Sequence, residues 1–503
     1  MRRRSPLVVL LLALLLPRPS IAQHPFPLRD RLESERCTPA ARAVSQVSST
    51  EWLERARTAT GLAVASDRVV HWRATETDVQ AYQSDRPYPP YIQGTAVRNW
   101  WFDPSSGVER WQPVASNGGA VLRTAKAAFM LRDSIPRPAP PLFAFHESSR
   151  ALNPLAVLVD FGKTNVRVTE TCTFRDFPRV VLTDGDARLY LDIKTAMPVK
   201  FERVEKHDIW GQRRAEYVYA TWWRSGRVAL PIVSVRYVDG VEELRRDLSL
   251  PHTPNDEVVA DLARTDAPPL AAPAGDHRAS LGSRMPPVPV DTIRVAADLY
   301  LLHTPYYTHA VTQQGDTAYL FDATSGEWRS RADSAWIARL FPRAKATVLV
   351  VSDLAWPHVA GVRFWAARGA TIVSHAISRP FLEQLLDRRW LLAPDALDQA
   401  RASKHTALTY RLVTHGGAFA LASGAIRVNA IDGIGSEGAL YAWLPAQGFL
   451  WAGDYIQDVT RPSQYAIEVR AAMRRDGIAP QRVAAQHLPL TAWTTVEQAN
   501  PER

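Results

Sequence analysis

Residues 350–358 read VVSDLAWPH, and they close a run, 347–351, made almost wholly of β-branched residues and leucine. A short apolar run without polar alternation suits a strand buried on both faces. The chain leaves that strand through Ser352 and Asp353 and turns at Pro357 and His358. The next stretch, VAGVRFWAARGA at 359–370, reads as a helix over 359–368 that stops at Gly369, and TIVSH at 371–375 is β again. Strand, loop, helix and strand in that order form the unit of a layered domain, with polar residues gathered where strands end.

The same rhythm continues outward. Strands are expected at 295–302 and 317–322, the second closed by a turn at Ser325 and Gly326. A helix at 333–341 would present Trp336, Ile337 and Leu340 on one face, and Pro380 opens a helix at 381–386. Further along stand GIGSEGALYAWLPAQGFLWAGDY (433–455) and VAAQHLPL (483–490).

Taken with VVSDLAWPH, these segments resemble the metallo-β-lactamase superfamily from about residue 290 onward. The resemblance implies an αββα sandwich with metal ligands on loops at the sheet edges. Its pattern is H-x-H-x-D-H, a histidine in a G-H-T-like turn, a carboxylate in G-D after an apolar strand, and a late histidine. Here Asp353 stands at the first histidine, Ala355 at the second and Pro357 at the aspartate, while His358 keeps the last histidine. Ser436, with Glu437 beside it, replaces the turn histidine; Asp454 keeps the carboxylate and His487 the late histidine.

The resemblance therefore implies that His358, Asp454 and His487 gather at the second of the family's two metal sites and hold one divalent ion, zinc foremost. The first site has lost most of its ligands, so β-lactam hydrolysis is not expected. Two imidazoles and a carboxylate with open positions are an established coordination set. Asp353 is a candidate substitute ligand or catalytic group, and Glu437 a candidate general base or oxygen ligand. Each survivor also has a plainer reading: His358 as a helix cap, Asp454 as a turn residue, His487 as a packed histidine. Trp356 would wall the site, and His375 and His415 lie in the same half.

A Pro-, Ala- and Gly-rich stretch, 265–289, reads as a linker between a β-rich domain at 23–264 and the sandwich at 290–503, giving an α+β chain. In the first domain a helix is expected within 50–69, with Trp52, Leu53, Ala56 and Leu62 inward, and loop with edge strand at 87–104. From 166 the period becomes two. Leu189, Leu191 and Ile193 alternate with Tyr190 and Asp192, Tyr217 and Tyr219 flank Val218, and Val233, Val235 and Tyr237 alternate with Ser234 and Arg236. LYLDIKTAMPVKFE (189–202) and RSGRVALPIVSVRY (224–237) resemble the curved half-barrel of outer-membrane lipoprotein carriers, and fit a general antiparallel meander equally well. The carrier resemblance implies a concave face for a lipid-like ligand.

Arg2, Arg3 and Arg4, the apolar run 7–16 and Ser20-Ile21-Ala22 make a secretion signal cleaved after Ala22, which implies a periplasmic or secreted protein. No later run is long enough to span a membrane. Arg2, Arg3, Arg4 and Arg18 leave with the signal, so the formal charge of +9 falls to +5, too weak a bias to suggest nucleic acid. The two cysteines, Cys37 and Cys172, meet oxidising conditions and are open to pairing or to remaining free. His146 and His207 form no cluster with ligand spacing. Three functions stay open: a mononuclear metal-dependent hydrolase, a non-catalytic binding or scaffold protein, and a carrier of an apolar small molecule.

Overall fold

The computed structural model describes residues 38–39, 47–64, 69–79, 93–114, 119–125, 127–132, 135–138, 149–161, 166–174, 177–207, 210–225, 227–249, 263–264, 270, 288–355, 358–391, 393–403 and 408–501. Residues 1–22, Cys37, His146, Trp356, Pro357 and nearly all of 265–289 lie outside the described residues. Among the described residues no helix is long and apolar enough to cross a membrane.

Among the described residues, the first half is one antiparallel sheet of fifteen strands. Most strands pair with their sequence neighbours, and Val241–Leu248 closes back onto Val69–Val79. Two helices, Ser49–Thr60 and Pro154–Phe161, pack on one face of this sheet. Their Trp52, Leu53, Ala56, Leu155 and Leu158 meet Trp72, Trp100, Leu189, Leu191, Phe201 and Tyr217. Ser48 caps the first helix by accepting from Glu51 N at 3.2 Å, and Gly61 ends it with φ +78°.

Three sequence expectations change here. Gln93–Asp103 is an interior strand rather than an edge: it pairs with Val69–Val79 and with Val108–Pro113, burying Trp100 and Phe102. Pro104 follows the strand, so no proline interrupts the ladder. Ile193 is 37% exposed in a turn, because the Asp192 side chain accepts from Lys194 N and Thr195 N and ends the strand first. In Val228–Val238 the core takes Val228, Leu230 and Val238, and Ser234 and Arg236 are buried too. Arg236 tolerates burial because Glu205 and Glu243 both pair with it.

The helix-packed face is not a dry apolar trough. Glu109 meets Arg123 at 2.8 Å and Arg150 at 3.4 Å and accepts from Asn153, while Arg246 pairs with Glu76 at 2.8 Å and lies 3.9 Å from the Trp100 ring centroid. A cavity of about 20 Å³ beside Trp72, Leu152, Leu230 and Leu248 has room for about one water, far short of an acyl chain.

The second half holds two sheets. In the first, Asp291–Ala296, Leu299–His303, Thr308–Gln314 and Thr317–Phe321 run antiparallel, then Ala346–Val350, Thr371–His375 and Thr409–Val413 add in parallel. The second sheet has six strands, from Ala418–Leu421 to Thr491–Ala492. The facing surfaces share one core: Leu299, Leu301, Phe321, Val350 and Val373 against Val428, Leu440, Leu444, Trp451 and Ala484. Helices Glu327–Leu340, Val362–Ala367, Arg379–Asp387 and Ala396–Ser403 cover the outer face of the first sheet, and Gln464–Arg475 and Trp493–Ala499 that of the second. The layers thus run helix, sheet, sheet, helix.

The strand expected at 295–302 is two strands with a turn at Ala297 and Asp298. Asp298 holds that turn through its side chain, which accepts from Gln314 at 2.8 Å and from Gln447. The helix expected at 333–341 begins earlier, at Glu327, since its first turns bury the polar Arg329, Ser330 and Asp333, which an apolar period does not detect. Trp210, buried, reaches from the first half into this helix layer and meets Phe381 edge-on at 5.1 Å, while Arg388 donates to Gln212 O and pairs with Asp239.

Burial alone would raise the Glu202 pKa, but Lys200 and Arg214 hold it at about 2. A depressed folded pKa gives stability that is present above the unfolded value near 4.5 and lost as pH falls towards 2. Glu202→Gln should cost about 2–4 kcal/mol at neutral pH in urea denaturation, since Lys200 loses one partner. The variant should also lose less stability than the wild type between pH 4.5 and 2; equal slopes would contradict the assignment.

Candidate metal centre

The strands Ala346–Val350 and Phe449–Trp451 end at the same rim, one in each sheet. Asp322, with φ +68°, follows Thr317–Phe321 and ties that rim together: its carboxylate accepts from Ser352 N (2.7 Å), Ser352 Oγ (2.8 Å) and Trp451 Nε1 (2.9 Å). Leu440 N donates to Ser352 O, and Gln486 N to Gly453 O, each at 2.8 Å. Gly453 has φ +59°, and a Cβ there would sit 2.4 Å from Ser352 Oγ, so only glycine lets the Asp454 loop come this close.

On this scaffold His358, Asp454 and His487 each direct one ligand atom towards a shared space, with all three atoms within 4.8 Å of one another. His487 Nε2 is 3.5 Å from Asp454 Oδ1. His358 Nδ1 faces Asp353 Oδ1 at 2.7 Å, which leaves its Nε2 for a ligand. Asp454 Oδ2 accepts from Gln457 at 2.7 Å, whereas Oδ1 is buried and takes no hydrogen bond. A buried carboxylate oxygen without a donor is costly, and a cation among these three residues would satisfy it. The donor set, two imidazoles and one carboxylate, fits a zinc-class divalent ion.

The site is crowded with acids. Burial lifts Asp454 to about 7, with Asp353 and Asp322 adding repulsion against the pull of His358. Burial and Asp353 lift Asp322 to about 6. Burial alone would lower His358, yet Asp353 and Asp454 raise it to about 9. Burial and the nearby His358 push His487 down. Burial, then Asp454 and Asp353, push the Tyr307 hydroxyl up.

Other expected residues sit differently. Asp353 does not join the converging three; its Oδ1 accepts from Ala355 N at 2.9 Å and its Oδ2 from Gln486 Nε2 at 3.3 Å, so it braces both histidine loops. Glu437 is half-buried and belongs to no ligand group among the described residues. Ser436, buried, donates to Glu468 Oε2 at 2.6 Å, so its hydroxyl is committed to the helix Gln464–Arg475. His375 and His415 approach Asp432 Oδ1 at 3.5 and 2.9 Å and form a separate cluster. His207 ends the strand Pro198–His207 in the first half.

Three residues of this site escape the sequence reading: Asp322, Tyr307 and Gln486. Asp322 is legible only as the end of TAYLFD, and Gln486 only as the neighbour of His487. Tyr307 carries no periodic signal, yet its ring centroid lies 4.8 Å from that of His487 and 5.6 Å from that of His358.

No family model matches the chain, and no curated protein matches it. Solved structures similar to it include the metallo-β-lactamase DIM-1, 13% identical, with 42% of this chain and 94% of that one covered and a TM-score of 0.32. Another is a metallo-β-lactamase from Hirschia baltica, 11% identical, covering 43% of this chain and 100% of that one, with a TM-score of 0.32. A third is FIM-1 from Pseudomonas aeruginosa in its mono-zinc form, 14% identical, covering 42% and 93%, with a TM-score of 0.31.

Gly453→Ala should cost about 1–3 kcal/mol, from the left-handed backbone and the overlap with Ser352. Urea denaturation reads the loss, and a change within about 0.5 kcal/mol would contradict the close packing of the rim.

Proposed function

We propose that this is an exported protein whose second half binds one divalent ion, zinc foremost, through His358, Asp454 and His487 and uses it for hydrolysis. The observation that carries the reading is the convergence of the three ligand atoms together with the buried Asp454 Oδ1, which accepts no hydrogen bond and lies 3.5 Å from His487 Nε2. The ion, when bound, supplies Lewis acidity and the means to activate water. The chain supplies the rest. Asp353 accepts the Nδ1 proton of His358 and so fixes the tautomer that leaves Nε2 as a ligand. Asp322, through Ser352 and Trp451, keeps the two sheet ends from drifting apart. β-Lactam turnover is outside the proposal, because Asp353, Ala355 and Ser436 occupy the positions of the first site's histidines.

One observation favours a second reading, a binding protein without chemistry. Ser436 is committed to Glu468 and Ala355 offers no ligand, so half of the family's metal machinery is missing. Hydrolysis of a panel of esters, thioesters and phosphodiesters by the metal-loaded protein separates the two readings: turnover of none supports the binding role.

Elemental mass spectrometry of the exported protein, with Gln23 as its first residue, should find about one zinc, iron or manganese per chain. His358→Ala should lose it. A wild type without stoichiometric metal, even after reloading, sinks the metal reading. Asp353→Asn should weaken binding about 10- to 100-fold in chelator competition while leaving metal-free folding intact, and an unchanged affinity would remove Asp353 from its orienting role.

A further inference from the structure

A buried ion pair lies where the proposed chemistry makes no use of it. Arg329 and Asp333, both at 0% exposure, meet at 2.8 Å on the helix Glu327–Leu340. The second Asp333 oxygen faces His309 Nδ1 at 2.7 Å, and His309 is also fully buried. Buried charges seldom return their desolvation cost as stability, so what else they hold is informative. Arg329 directs its remaining donors at one short turn: Nη1 to Thr304 Oγ1 (3.0 Å) and Tyr307 O (3.2 Å), and Nη2 to Leu302 O (2.7 Å).

That turn is closed from within as well. Thr304 N donates to Tyr307 O at 3.0 Å, and Tyr307 N to Thr304 Oγ1 at 3.1 Å. Thr308 N donates to Gln486 O at 2.8 Å, next to His487. The side chain so held is Tyr307, 6% exposed, whose ring packs on both imidazoles of the site, at 51° to His487 and 78° to His358. The imidazole centroids are themselves 6.1 Å apart. His309 extends the same cluster towards the rim, since its Nε2 accepts from Thr324 N at 3.0 Å, two residues beyond Asp322.

We propose that Tyr307 is a positioning residue of the metal centre: its ring sets the His358 and His487 imidazoles at one fixed separation, and the buried Arg329–Asp333–His309 cluster holds that ring in place. This rests on the metal reading above. An imidazole on a loop has several rotamers to lose when it captures an ion, and a ring wedged against both removes that freedom beforehand. The ring carries the role and the hydroxyl does not, so phenylalanine should replace tyrosine.

The test uses cobalt(II) alone as the probe, on the full chain, reading affinity by titration and site geometry from the visible absorption bands. Wild type and Tyr307→Phe should bind one ion with the same affinity and spectrum. Tyr307→Leu should bind about 10- to 100-fold more weakly, with shifted bands. Metal-free melting temperatures separate loss of fold from loss of site, and Tyr307→Met, bulky but ringless, replaces the leucine variant should that one not fold. A ringless variant that keeps wild-type affinity and spectrum overturns this role and leaves the metal reading standing. A weakened Tyr307→Phe overturns it too, because the hydroxyl would then be the working group. A wild type that takes up no cobalt overturns both.

Discussion

Asp322 accepts three hydrogen bonds at once, two from Ser352 at the end of a strand in one sheet and one from Trp451 at the end of a strand in the other. A β-sandwich core is non-directional: Leu299, Phe321 and Val350 would pack nearly as well against the facing sheet if the layers slid by a few ångströms. A buried carboxylate with three donors at fixed distances does not permit sliding. Because the loops bearing His358 and Asp454 leave from the two strands so joined, their spacing is set at this point. Gly453 reinforces it by allowing backbone contact where any side chain would collide.

The acids around this joint form a set. Burial first, and then repulsion from Asp353, lifts Asp322 and Asp454, while Asp353 and Asp454 raise His358 against its own burial. Like charges gathered in a buried rim are unfavourable unless something positive answers them. His358 answers part, and an ion among His358, Asp454 and His487 would answer more. Asp353 stands apart from the converging three. Its oxygens are already engaged by Ala355 N, His358 and Gln486, so it orients the His358 ring and links the two loops that carry the histidines.

The first half uses buried charge differently. Glu109, Arg123, Arg150, Arg246 and Glu76 interlock between the sheet and the helix Pro154–Phe161, where Arg150 meets Asp160, with Trp100 stacked beneath Arg246. Such a network specifies one register of helices on sheet, since a slipped arrangement would leave ions unpaired in a dry place.

Local chemistry made much of this protein readable in one dimension. The buried strand 347–351, the helix stop at Gly369, the proline-opened helix near 381 and the period-two strands after 166 follow from side-chain branching, backbone freedom and alternation, all properties of neighbouring residues. His358, Asp454 and His487 could be named because a family pattern ties them to particular loops. Their convergence within 4.8 Å could not be read, since it depends on two sheets meeting in register. The burial of Arg329, Asp333 and Arg236 could not be read because buried ions break the apolar period that marks a core, and their partners lie far off in sequence or on a face the period does not mark. Tyr307 escaped notice because a turn residue becomes part of a site only when tertiary packing lays its ring across two histidines from distant loops. Sequence determined which elements form, because that depends on local residues; tertiary structure alone decided which groups face one another, because that depends on contacts the chain makes only once folded.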